Sequence, residues 1–123
     1  MKVALTLHTA FIAGALLLGL VGCAGSPKAT QPSGAGLVVD ITIAKGQVTP
    51  TNATLQATVA RPITLRVTSD ATDELHVHSV PDHHFRVAAA ANQTFQFTVD
   101  VPGNVDVELH HLDRTIATIQ VRP

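Results

Sequence analysis

The chain reads as an all-β sandwich of about seven strands, preceded by an export segment and a flexible tether. Three observations predict this. Between residues 37 and 123 apolar residues recur with period two rather than 3.6; the runs are rich in Val, Ile, Thr and Phe; and turn residues separate them at intervals of about eight to twelve positions.

Residues 1–22 carry one lysine, Lys2, then an apolar run from Ala10 to Val21 and the sequence LVGC. This pattern matches a bacterial export signal ending in a lipobox, so Cys23 is expected to become the lipidated N-terminus, with palmitate among its acyl chains. The apolar run is about twelve residues long, too short for a bilayer span, which takes roughly 20. Residues 23–36, CAGSPKATQPSGAG, have too little apolar surface to bury and are expected to form a linker. One domain follows, residues 37–123, long enough to fold alone around a small core.

Within that domain the expected strands are LVVDITIA (37–44), TLQATV (54–59), ITLRVTS (63–69), LHVHSV (75–80), TFQFTV (94–99), NVDVELH (104–110) and TIATIQV (115–121). Side chains alternate across a strand, so Ile63, Leu65, Val67, Leu75, Val77, Phe97, Val107 and Leu109 are expected in the core. VAAAAN (87–92) is too short to stand as a helix and reads as a strand edge or loop.

Composition limits the chemistry. The chain has one cysteine, and if Cys23 is lipidated the folded part has no thiol for nucleophilic catalysis, a disulfide or thiolate metal ligation. Setting aside Lys2 and His8 of the export segment leaves seven basic and nine acidic residues, a net charge near −2, and nothing suggests nucleic acid. No GxSxG turn is present, and without Trp or Tyr the domain has no platform for sugars. The protein is therefore not expected to be an enzyme.

The order GQVTP (46–50), PITLRVTSDATDELHVHSV (62–80), QTFQFTVDVPGNVDVELH (93–110) and the closing ATIQVRP resembles the cupredoxins, in particular the small cupredoxin-like lipoproteins of actinobacteria. The resemblance implies a Greek-key sandwich. TSDATDELHVH is similar to the segment that brings the first copper histidine, here His76, and VDVPGNVDVELHH to the turn and strand that deliver the copper cysteine. That cysteine position falls on Leu109, no methionine follows, and Leu112 stands near the second histidine position. Type 1 copper takes two histidines, a thiolate and a weak axial ligand, so a blue-copper electron carrier is ruled out.

The histidines remain to be explained. Thirteen residues, DELHVHSVPDHHF (73–85), hold four of the chain's seven. Glu74, His76 and His78 share one strand face, opposite Leu75 and Val77; Asp106, Glu108 and His110 share another, opposite Val107 and Leu109. The resemblance implies that these strands are neighbours, about 4.8 Å apart. The candidate metal ligands are thus His76, His78, His110, Glu74 and Glu108, with His83, His84 and His111 as additional candidates and Asp106 as a carboxylate holding an imidazole. His83 and His84 follow VPD in an expected loop and point oppositely, as do His110 and His111. Imidazole with carboxylate suits Cu(II) or Zn(II). A solvated sheet face is the competing reading, since alternation predicts polar residues there without specifying histidine.

Two functions follow as expectations. One is a lipoprotein on the outer face of the cytoplasmic membrane that buffers or delivers Cu(II) or Zn(II) in the cell envelope. The other is a metal-free cupredoxin-like binding or accessory module at the cell surface, with an envelope protein as its partner.

Overall fold

The computed structural model describes residues 35–123. The export segment, Cys23 and nearly all of the expected linker lie outside the described residues. The described residues form no helix and nine strands: β1 Leu37–Ala44, β2 Gln47–Thr49, β3 Ala53–Thr58, β4 Ile63–Ser69, β5 Asp73–Val77, β6 His83–Val87, β7 Gln93–Phe97, β8 Gly103–Leu109 and β9 Arg114–Arg122. They make a four-stranded sheet, β2-β1-β4-β7, and a five-stranded sheet, β3-β9-β8-β5-β6. Both are mixed, because β1 runs parallel to β4 and β3 parallel to β9 while the other pairs are antiparallel.

Period-two patterning explains the packing. Leu37, Val39, Ile41 and Ile43 of β1 are buried and alternate with exposed residues, and Ile63, Leu65 and Val67 of β4 are buried and alternate with half-buried Thr64 and exposed Arg66 and Thr68. From the other sheet Leu75, Val77, Val105, Val107, Leu109, Ile119 and Val121 join them in one cluster. All eight expected core residues are buried. In β9 two consecutive residues, Ile116 and Ala117, are buried, which strict alternation forbids. The cause is a bulge: Val107 pairs with Ala117 but Glu108 pairs with Thr115, so Ile116 is the extra residue on its strand. The β1–β2 connection is a two-residue turn in which Lys45 and Gly46 both have positive φ, 53° and 71°, the backbone that matches hairpin twist.

Nine strands replace the expected seven. The first extra strand, β2, spans only three residues. The second, β6, corrects the reading of His83 and His84 as loop residues. Pro81 and Asp82 do end the preceding segment, but HHFRV then alternates half-buried His83 and Phe85 with exposed His84 and Arg86 and pairs with β5 along its length. The strand expected over 75–80 ends at Val77, and Val80 is exposed.

Candidate metal centre

β5 lies between β8 and β6, so His76 has a neighbour on each side: Glu108 pairs with it in one ladder and His84 in the other. The backbone N–H of His110 donates to the Glu74 carbonyl at 3.0 Å and that of His78 to the Asp106 carbonyl at 2.9 Å, which extends the β5–β8 register past both strand ends. Period two then turns Glu74, His76 and His78, Glu108 and His110, and His84 to the same outer face.

On that face five side chains close a ring. Nδ1 of His76 is 3.1 Å from Nε2 of His110. Nδ1 of His110 is 3.2 Å from Oε1 of Glu74. The same Oε1 is 3.0 Å from Nδ1 of His84. Nε2 of His84 is 3.0 Å from Oδ2 of Asp82, and Oδ1 of Asp82 is 2.9 Å from Nε2 of His76. The imidazoles of His76 and His84 stack at 4.0 Å, and that of His110 meets His76 edge-on at 5.1 Å. Although it projects away from the core, the His76 side chain is only 16% exposed, because these neighbours cover it.

The ring has a definite electrostatic character. Both nitrogens of His84 face carboxylates, so both donate and the imidazolium satisfies both contacts. Its hydrogen bond to Glu74 raises the His84 pKa against the opposing effect of desolvation, and the bond to Asp82 raises it further. Reciprocally, the bond to His84 and the nearby charges of His110 and His84 lower the pKa of Glu74, and the bond to His76 followed by that to His84 lowers that of Asp82.

His76, Asp82 and His84 each offer one ligand atom, all within 4.8 Å of one another. An ion with bonds of about 2.0–2.1 Å holds neighbouring donors roughly 2.9–3.4 Å apart, so the three ligand atoms, within 4.8 Å of one another, would have to draw together to seat one. Two imidazoles and a carboxylate suit Cu(II) or Zn(II). No cysteine or methionine lies among the described residues, and the Leu109 side chain is buried in the core, so the geometry of type 1 copper is absent.

The structure divides the other candidates. Glu74 and His110 belong to the ring but not to the tight group of three. His78 pairs with Glu108 at 2.9 Å, its ring 3.8 Å from that of His76, beside rather than within the ring. Asp106 accepts from the Thr118 hydroxyl at 2.6 Å, which corrects its expected role as the acceptor for an imidazole. His83 turns to the opposite side, with Nε2 3.2 Å from the Thr98 carbonyl and its ring beside Phe97. His111 lies apart, 3.4 Å from the Thr72 carbonyl.

Two residues escape the sequence reading. Asp82 stands two positions before His84, and that spacing puts both on one face of an extended chain; the signal was there once β6 is recognised. Buried Asp73 accepts from the backbone N–H groups of Glu74, His111 and Leu112 at 2.7, 2.9 and 3.1 Å, which fastens the end of β8 and holds His110 against β5.

No known protein-family profile matches the chain, and no curated protein matches it. Among solved structures, an oxidised proline-to-alanine variant of amicyanin has a TM-score of 0.50 at 18% identity, covering 72% of this chain and 83% of that one. A methionine-to-alanine variant of amicyanin in its Cu(I) form has a TM-score of 0.49 at 19% identity, with 72% and 83% covered. The likeness shows the fold: the described domain is a cupredoxin-like β-sandwich.

Proposed function

We propose that this protein is a cupredoxin-like lipoprotein of the actinobacterial type that binds Cu(II) or Zn(II) through histidines and buffers or delivers the ion at the cell envelope. The observation that carries the reading is the grouping of His76, Asp82 and His84 on one sheet face. Zn(II) fits the same donors. The site is assigned no reaction: it is a binding module, and its affinity falls as pH falls, because an imidazole must be neutral to bind a metal ion. The ion exchanges with an envelope protein or the surrounding medium, and a diacyl anchor on Cys23 holds the domain on the outer face of the cytoplasmic membrane.

Calorimetric titration of the full chain in detergent with Cu(II) and Zn(II) tests the metal reading. His76→Ala should weaken binding tenfold or more, about 1.4 kcal/mol per decade. Equal affinity in the two proteins would remove it. Cys23→Ser should release or misprocess the chain; a variant that stays membrane-bound at the wild-type mature mass would remove the anchor.

One observation favours a second reading. The ring satisfies its own donors and acceptors without an ion, as a metal-free surface would. If no ion binds, the protein is a metal-free cupredoxin-like binding or accessory module at the cell surface.

A further inference from the structure

Among the described residues the exposed large hydrophobics are Val38, Val80 and Val101, at 46%, 61% and 49%. A single exposed valine is ordinary. These three, however, all stand at one end of the sandwich. β1 and β4 start there, with Val38 beside Thr64, and β7 finishes there, with Phe97 opposite Ile63. Backbone hydrogen bonds carry that end across both sheets: the N–H of Leu37 donates to the Pro62 carbonyl, that of Ala60 to Val99 and that of Asp100 to Val80. The last of these sets the β5–β6 connection, with exposed Val80 and Pro81, against the β7–β8 connection, with exposed Val101 and Pro102. Arg61 and Arg122 are exposed at the same end, and neither has an ion pair among the described residues. The opposite end, at the connections holding Lys45, Asp70, Asn92 and Asp113, exposes no large hydrophobic residue.

We propose that the apolar end is a seat on a lipid bilayer, in which Val80, Pro81, Val101 and Pro102 enter the headgroup layer while Arg61 and Arg122 reach lipid phosphates. The inference rests on the Cys23 anchor. Leu37, where the chain enters the domain from residues 23–36, lies at this same end. A linker of that length spans on the order of 20 Å. It holds the end near the bilayer at an effective concentration that lets a small patch suffice. Asp82 and Asp100 flank the tip, and the cost of drying a carboxylate limits its depth to the headgroup layer.

The test is NMR of the lipidated chain in nanodiscs of phosphatidylcholine and phosphatidylglycerol, with some headgroups carrying a nitroxide. The amides of Arg61, Val80 and Val101 should broaden severalfold more than those of Lys45, Asp70 and Asp113. Val80→Ser with Val101→Ser should level that difference and leave the amides of β1 and β4 in place, since exposed substitutions change stability little. The seat is overturned if the chain co-elutes with the nanodiscs and its amides broaden evenly, or if the double variant keeps the difference. Shifts at Val80 and Val101 that grow with protein concentration, without the difference in broadening, would assign the patch to a second copy and overturn the lipid seat. A chain that does not co-elute with the nanodiscs overturns the anchor and the seat together.

Discussion

His84 sits directly across from His76 in the β5–β6 ladder, with the two imidazoles stacked 4.0 Å apart and Nε2 of each on one oxygen of the Asp82 carboxylate. One carboxylate between two stacked rings joins His76, Asp82 and His84 into the tight group of three, while His110 at 3.1 Å and the His78 ring at 3.8 Å flank His76 outside that group.

That relationship ranks the ligands. Asp82→Asn and His84→Ala should each weaken Cu(II) or Zn(II) binding tenfold or more, comparable to His76→Ala, whereas His83→Ala should leave it unchanged because His83 points to the Thr98 carbonyl. Calorimetry on the variants decides it; a His83→Ala loss equal to that of His84→Ala would contradict the strand assignment of β6.

The same contacts make stability depend on pH when no metal is present. The folded-state pKa of His84 is raised from 6.5, so its contribution is fully present below about 6.5 and is lost as pH rises through the raised value. Glu74 and Asp82 have lowered values, so their contribution is present above the unfolded values of 4.5 and 3.8 and is lost as pH falls through the folded ones. Thermal stability should therefore peak between the two windows and decline on the alkaline side. His84→Gln should flatten that alkaline decline in melting curves taken in chelator; an unchanged slope would show that the ring does not govern it.

Bound Cu(II) should be colourless or faintly blue. The residue at the position the resemblance assigns to cysteine is Leu109, buried in the core, and no thiolate is available among the described residues to give an intense charge-transfer band. An absorption spectrum of the copper-loaded chain with a strong blue band would refute this donor set.

Asp73 should matter more to stability than its position at a strand end suggests. Asp73→Ala removes the part-buried acceptor of the backbone N–H groups of His111 and Leu112, at a net cost of about 0.5–1.5 kcal/mol per hydrogen bond. Denaturant unfolding measures that loss, and hydrogen exchange should show faster opening at His111 and Leu112. Asp73→Ala with wild-type stability would mean that the end of β8 is held by other contacts.

The sequence by itself determined the two-layer architecture and its core. Alternation with period two is a local property, and it assigned Ile63, Leu65 and Val67, and likewise Leu75 and Val77, to the interior faces of their strands without any partner being known. It also determined that the imidazoles of His76 and His110 face outward. Beyond the β5–β8 neighbourhood that the resemblance implied, the tertiary structure alone decided who stands beside whom. A strand's face follows from its own residues, but its neighbours follow from register, and register is set by loops and by pairing across the chain. The pairing of His76 with His84 depends on the β5–β6 ladder, hidden because Pro81 and Asp82 read as the start of a loop; the 3.1 Å contact of His76 with His110 joins residues 34 positions apart. Even the contacts of the Glu74 carboxylate with His84 and His110 exist only when three strands are laid side by side.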